Sequence, residues 1–279
     1  MDKTLIRRRF ASSVRSYAEY AQAQRLIAER MCAMLRSLLP DRPADVLEIG
    51  CGTGTFTRLF MQHFHPARMT LNDICPEVRE ALTDILATDY NGPAPNNSAP
   101  SRPQECVTRF VCGDAEHCDL PGGQSLIASC SVMQWFEDPE RFIRRCHDLL
   151  APGGILALST FGPDNLREVK DITGSGLDYP PLERLRQMLS SAGLETVAAE
   201  EESIVLDFPS AIDVLRHLKH TGVNGITHTS WTPARLARFS DEYLLRFGTS
   251  DGNVTLTYHP VYLIARRPKA RRIKAARNV

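Results

Sequence analysis

Asp45-Val46-Leu47-Glu48-Ile49-Gly50-Cys51-Gly52-Thr53-Gly54 decides the fold. A short apolar strand runs straight into three glycines at alternate positions. A second apolar run follows, Met69-Thr70-Leu71-Asn72-Asp73-Ile74, with Asp73 near its end. Glycine carries no Cβ, so a turn built from it lets a ligand lie against the backbone. An acidic side chain about 20 residues later, at the tip of the neighbouring strand, accepts hydrogen bonds from ribose hydroxyls. Together the two features predict a doubly wound α/β sheet that holds a ligand with an adenosine end.

The glycine spacing narrows the ligand. Dinucleotide sites use G-x-G-x-x-G and seat a pyrophosphate on the helix N-terminus. Here the spacing is G-x-G-x-G, and Glu48 stands two residues before Gly50. A carboxylate there is a poor neighbour for a pyrophosphate. It suits a cationic end, such as the ammonium and sulfonium of S-adenosylmethionine. No lysine follows the glycines, which excludes a nucleotide-triphosphate P-loop.

Gly113-Asp114-Ala115 closes a third apolar run, Thr108-Arg109-Phe110-Val111-Cys112, and Asp114 is expected to accept from an adenine amino group. Leu126 to Met133 reads as a fourth strand, closed by Gln134-Trp135-Phe136. Pro152-Gly153-Gly154 reads as a turn, and Ile155 to Phe161 as a fifth strand. From about position 40 to 165 the series resembles the Rossmann-like S-adenosylmethionine-dependent methyltransferases. That resemblance implies a seven-stranded α/β methyltransferase sheet with an N-terminal helix and an inserted helical lid.

Composition sets the bounds. At 279 residues the chain suffices for one large α/β domain with an insertion, or for two small ones. Formal net charge is zero, so a whole-molecule pull toward nucleic acid is absent. The basic residues are uneven, however. Arg7-Arg8-Arg9 lies near the start, and Arg266, Arg267, Lys269, Arg271, Arg272, Lys274 and Arg277 crowd the end. No apolar run reaches membrane-spanning length and no signal segment is evident, so a cytoplasmic protein without membrane contact is expected. The eight cysteines fit a reducing compartment. Cys112, His117 and Cys118 lack a second ligand pair at zinc spacing, so no metal is expected.

One domain is expected, in four parts: a helical cap at 1–40, a cofactor-binding core at 41–165, a C-terminal half at 166–265 and a basic, solvated tail at 266–279. Residues 4–39 read as one helix, with Leu26, Met31, Leu35 and Leu38 near a helical period. Tyr17, Tyr20 and Gln24 share one face of it, positioned either to pack on the core or to close over the cofactor. Further helices are expected at Thr55–Phe64, Pro76 to about Ala87, Pro139–Leu150 and Pro181–Ala192. Residues 89–106, rich in proline and asparagine, read as a surface loop. Glu195–Phe208 contains a strand, and Val254 to Ala265 reads as one more. Two helices within 209–247 are extra to a minimal sheet and read as a substrate lid, or else as a buttress remote from the pocket.

Methyl transfer from a sulfonium is an in-line displacement, and the protein mainly supplies alignment and a dry pocket. A carboxylate acceptor is already ionised at neutral pH and needs no base. Enzymes that methylate exocyclic base amines carry an Asn/Asp-Pro-Pro-aromatic run after strand four. Here Ser131-Val132-Met133-Gln134-Trp135-Phe136 stands there, which argues against a base-flipping enzyme and a nucleic-acid substrate.

Four further pieces sharpen the resemblance: Arg9-Phe10 with Ser16-Tyr17 and Tyr20 to Gln24; Met133-Gln134-Trp135-Phe136; Ser159-Thr160-Phe161-Gly162-Pro163; and Leu215 to Gly222 with Thr257 to Tyr262. In this order they resemble the malonyl-acyl-carrier-protein O-methyltransferase family of biotin synthesis. The resemblance implies methylation of the free carboxyl of a malonyl thioester, on acyl carrier protein or coenzyme A. Glu48, Gly50, Gly52 and Gly54 would then cradle the methionine end of S-adenosylmethionine. Asp73 with Ile74 would hold the ribose, and Asp114 with Ala115 the adenine. Gln24 and Tyr17 would reach cofactor or malonyl group from the leading helix. Lys219 or Arg216 would orient the malonyl carboxylate, and Trp135 and Phe136 would line the pocket. The basic ends could steer an acidic carrier protein. Two other readings stay open: a carboxyl or carbon methyltransferase of a free tricarboxylate or quinone precursor, and a cofactor-binding protein without catalysis.

Overall fold

The computed structural model describes residues 3–86, 106–222 and 231–269, with backbone alone at 15–19. Among the described residues, eight strands of five to seven residues and one of twelve lie between the helical segments. They are β1 (Asp45–Ile49), β2 (Arg68–Asp73), β3 (Val107–Cys112), β4 (Gln124–Cys130), β5 (Leu150–Phe161), β6 (Glu195–Glu201), β7 (Ile204–Phe208), β8 (Val254–Tyr258) and β9 (Pro260–Arg266). Seven form one sheet in the order β3-β2-β1-β4-β5-β9-β6, while β7 and β8 make a separate antiparallel ribbon. Strands β1 to β5 are mutually parallel, and β9 inserts antiparallel between β5 and β6. The expected doubly wound sheet is therefore present. Strand order reverses between β1 and β4, which opens a crevice at their carboxyl ends.

Helices cover both faces. Two, α1 (Lys3–Tyr20) and α2 (Gln22–Leu35), replace the single expected leading helix. The chain breaks at Ala21, with φ −83° and ψ 42°. The buried stripe of α2 is Ala23, Ile27, Ala28, Met31 and Leu35, whereas Leu26 is 40% exposed and faces outward. The α3 helix (Thr55–His63) follows the glycine turn. The expected helix after β2 starts as a 3-10 turn at Pro76–Leu82 and becomes α-helical only over α4 (Thr83–Leu86). Residues 87–105, which hold nearly all of the expected loop, and 270–279 of the basic tail lie outside the described residues.

Then come α5 (Pro139–Leu149), α6 (Arg167–Thr173), α7 (Leu182–Ser191), α8 (Ala211–His220) and α9 (Pro233–Phe247). Three local expectations change. Pro152-Gly153-Gly154 is a bulge inside β5, where the register with β4 shifts between Gln124 and Leu126. Strand β4 stops at Cys130, because Ser131 takes φ +58° and turns the chain into the 3-10 segment Met133–Trp135. The expected strand over 254–265 is two, β8 on the ribbon and β9 in the main sheet, parted at His259. Pro260 has no N–H to donate and so suits the first position of β9.

The strand change is held from α6. Buried Glu168 accepts from Thr257 N at 3.0 Å and from Thr257 Oγ1 at 2.5 Å. Asn165 Oδ1 accepts from His259 N at 3.2 Å. These bonds fix Tyr258 where its hydroxyl meets His217 of α8. Thr257→Val is expected to leave a buried carboxylate oxygen without its hydroxyl donor and to cost about 1–3 kcal/mol. The check is a lower denaturant midpoint at unchanged m-value.

Candidate active site

The glycine turn owes its shape to backbone that only glycine adopts freely. Gly50, Gly52 and Gly54 have φ of +68°, +50° and +82°. A Cβ on Gly50 would lie 2.3 Å from Val132 Cγ2, so a side chain there would drive the turn off the end of β4. A Cβ on Gly52 would meet nothing within 4 Å, because that face opens on the cleft. The turn is tied to β2 by Gly50 N and Cys51 N, which both donate to Asn72 O at 2.8 and 3.0 Å.

Asp73 completes the tie. Its Oδ2 accepts from Gly52 N at 2.9 Å and its Oδ1 from Cys75 N at 2.8 Å. Burial raises its pKa, and the N–H groups of Cys75, Gly52 and Ile74 work against that rise. Each oxygen keeps a lone pair for a ligand, which is what a ribose diol requires.

Glu48 sits elsewhere than expected. It lies beneath the turn, outside the cleft lining, and accepts from Thr57 Oγ1 at 2.7 Å. Burial pushes its pKa up to about 8, with the nearby Asp73 charge adding to the rise. At neutral pH it is largely protonated, so it acts as a hydrogen-bonded strut under the turn and offers little counter-charge to a cation.

The crevice is a cleft of about 900 Å³, open mouth included. Of the residues named for the cofactor, Gly50, Gly52, Asp73, Ile74, Asp114 and Ala115 line it, whereas Gly54 does not and is packed against Arg58 and Leu82. Across the cleft lies α1, through Lys3, Ile6, Phe10 and Val14. Lys3 Nζ donates to Asp114 Oδ2 at 2.6 Å and also pairs with Glu116. Burial raises the Asp114 carboxyl, but the hydrogen bond and charge of Lys3 outweigh it and hold the group below the usual range. An adenine amino group would thus share Asp114 with Lys3, a residue that no motif had singled out.

A second chamber of about 350 Å³ opens beside the first and shares Phe10, Ser131 and Trp135 with it. Phe10 and Trp135 meet edge to face at 5.6 Å and form the partition. Gln24 lines this chamber and not the cleft. Phe136 lines the cleft alone. The Tyr17 side chain is outside the described residues. Arg216 and Lys219 line neither cavity: Arg216 is exposed and pairs with Asp213 at 2.8 Å, and Lys219 is exposed on the same helix. Neither is therefore brought to the site. Their helical neighbour His217 is turned inward, with Nε2 2.7 Å from Tyr258 Oη. Burial pushes His217 down to about 4, so it is neutral.

Sheet order, glycine turn and the acid ending β2 together define a Rossmann-like methyltransferase. The Methyltransferase domain family model matches residues 17–199. The Burkholderia thailandensis 1,6-didemethyltoxoflavin-N1-methyltransferase, solved with 1,6-didemethyltoxoflavin and S-adenosylhomocysteine, has the same fold. Its TM-score is 0.53 at 18% identity, over 96% of this chain and 89% of its own. A malonyl-[acyl-carrier protein] O-methyltransferase of Bacteroides helcogenes is 41% identical over 278 residues, covering 95% of this chain and 99% of the relative. Another, from Bacteroides fragilis, is 42% identical over 266 residues; the match spans 95% of this chain but half of that longer protein. The chain belongs to the malonyl-[acyl-carrier protein] O-methyltransferase family.

Glu48 gives a prediction with a definite sign. Its folded pKa of about 8 lies above the ordinary 4.5, so folding takes up a proton between those values. Stability from this group is fully present below pH 4.5 and is lost as pH rises toward 8. Glu48→Gln keeps an acceptor for Thr57 and removes the titration. Denaturant melts from pH 5 to 9 should show the variant gaining on the native protein as pH rises, by up to about 1.4 kcal/mol per pH unit.

Proposed function

We propose that this enzyme transfers the methyl group of S-adenosylmethionine to the free carboxyl of a malonyl thioester carried by acyl carrier protein or coenzyme A. The ester so formed primes pimeloyl synthesis for biotin. The observation that carries the reading is the junction of two chambers at Ser131, one walled by the glycine turn and paired acids, the other by uncharged polar groups. The cleft fits the donor: an open face at Gly52, a diol acceptor in Asp73 and an apolar cover from α1.

When bound, S-adenosylmethionine supplies a methyl carbon whose bond to sulfur breaks as a carboxylate oxygen bonds to it, the pair staying on sulfur. No proton moves, so the residues need only align and desolvate. The backbone of Gly50 and Gly52 holds the methionine end, Asp73 and Ile74 the ribose, and Asp114 and Ala115 the adenine. The partition of Phe10 and Trp135 excludes water. Lid elements α8 and α9 close the acceptor side. Among the described residues no helix is long and apolar enough to cross a membrane.

The test is mass spectrometry of malonyl-acyl carrier protein after incubation with S-adenosylmethionine. Gain of one methyl on the malonyl group supports the reading. Turnover confined to free tricarboxylates or quinone precursors would replace the substrate, and donor binding without any turnover would remove the catalysis. Asp73→Asn should weaken donor affinity by about tenfold or more in calorimetry, the scale of a lost charge-assisted hydrogen-bond pair.

A further inference from the structure

Resting on that reading, we propose that the second chamber holds the malonyl carboxylate through uncharged donors alone, namely Gln24, Ser131 and Tyr179. Its counter-charge is the donor's sulfonium, met at the Ser131 edge that the two cavities share. Two observations carry this. The first is unpartnered polar surface. Gln24 is 9% exposed, and among the described residues its Oε1 has no hydrogen-bond partner. Ser131 Oγ is likewise enclosed and unpartnered. Both residues line the chamber. A buried amide or hydroxyl without a partner is costly, so a site that keeps two of them facing one cavity is built for a polar ligand. A half-turn of the Gln24 amide presents its N–H groups, and the Ser131 hydroxyl rotates freely.

The second observation is how the other polar groups are committed. Gln134 Nε2 donates to Ser131 O at 2.7 Å, and its Oε1 accepts from Thr160 Oγ1 at 3.4 Å. Asn165 Oδ1 is taken by His259 N, and the Tyr258 hydroxyl by neutral His217. Tyr179 lines the chamber beside Asn165, and a phenol can donate its O–H to an anion. Burial pushes that phenol up to about 12, so the proton stays on it.

Among the described residues no lysine or arginine lines the chamber. A carboxylate enclosed without a cation would ordinarily be expelled. A neighbouring sulfonium changes that balance, and the two charges cancel as the methyl moves. A low-polarity enclosure favours such a transition state over its charged ground state, whereas an arginine partner would stabilise the ground state and blunt the oxygen. The neutral ester then has little to hold it.

Acceptor binding should therefore require a cationic co-ligand. The experiment is calorimetric titration of malonyl-coenzyme A, with malonyl-acyl carrier protein in parallel, into enzyme filled with sinefungin or with S-adenosylhomocysteine. Sinefungin carries an ammonium near the sulfonium position, and S-adenosylhomocysteine is neutral there. The acceptor is expected to bind about tenfold or more tightly beside sinefungin. Gln24→Leu and Tyr179→Phe should each weaken it about tenfold, with donor affinity within about twofold and KM raised more than kcat is lowered. Tyr179→Phe deletes one oxygen and serves even where Gln24→Leu perturbs folding. Equal binding beside both co-ligands, or unchanged affinity in Tyr179→Phe, overturns the assignment while methyl ester formation by the native enzyme leaves the proposed function standing. Absence of methyl ester from any malonyl thioester overturns both.

Discussion

One carboxylate joins the parts of this molecule that matter. Asp73 ends β2 and clasps the N–H of Gly52 in the turn after β1 and the N–H of Cys75 in its own chain. The β1 turn has left-handed backbone at three glycines, and its own bonds are few, chiefly Gly54 N to Cys51 O at 2.9 Å and Arg58 Nη1 to Thr53 O at 2.5 Å. The grip from β2 holds it closed, aided by the two N–H bonds to Asn72 O. Burial raises the pKa of Asp73, and the three backbone N–H groups around it are what make its charge tolerable there. Those same N–H groups shape the floor on which a ligand rests. The acid is at once part of the fold and part of the site, so the two cannot be varied separately at this point.

The cover over that floor comes from the opposite end of the chain. Lys3 at the start of α1 reaches Asp114 and Glu116, and Phe10 two turns later meets Trp135. A Cβ on Gly222, after α8, would lie 3.0 Å from Phe10 Cδ1, so the partition ring is also backed from the end of α8. Tyr20 stacks on His220 at 4.3 Å. The leading helix is thus clamped to the core at one end and to α8 at the other. Were adenine to use Asp114 as proposed, it would share that carboxylate with Lys3, and cover and ligand would be coupled there. A released Lys3 leaves Glu116 its backbone partners, Glu137 N and Asp138 N, both at 2.9 Å.

Much of this was legible in the residues, for a physical reason. Glycine at a positive φ, an acid at a strand tip and apolar runs of strand length are local signals, and they located the sheet, the turn, Asp73, Ile74, Asp114 and Ala115. What stayed hidden depends on packing between distant segments. Nothing in Tyr20-Ala21-Gln22 opposes a helix, yet the chain breaks at Ala21, and that break presents Gln24 to the acceptor chamber. The β-pattern from Val254 to Ala265 is continuous, yet the hold of Asn165 and Glu168 splits it between two sheets. Lys3 carries no motif at all. Glu48 was read by its charge, while its burial and its bond to Thr57 make it largely neutral.

The basic residues of α8 show the same distinction between charge and environment. A search for a carboxylate partner turns naturally to Arg216 and Lys219, because a cation can be seen in a sequence and a desolvated hydroxyl cannot. In the folded chain both project outward, while the opposite, buried face of the same helix delivers His217 inward to Tyr258. An inward arginine would have needed a counter-ion of its own whenever the acceptor was absent, and enclosed ions are tolerated only in pairs. A chamber of amides and hydroxyls avoids that requirement. On the proposed reading its polar groups meet a charge that vanishes in the reaction, and among the described residues no lysine or arginine of its wall would hold that charge back.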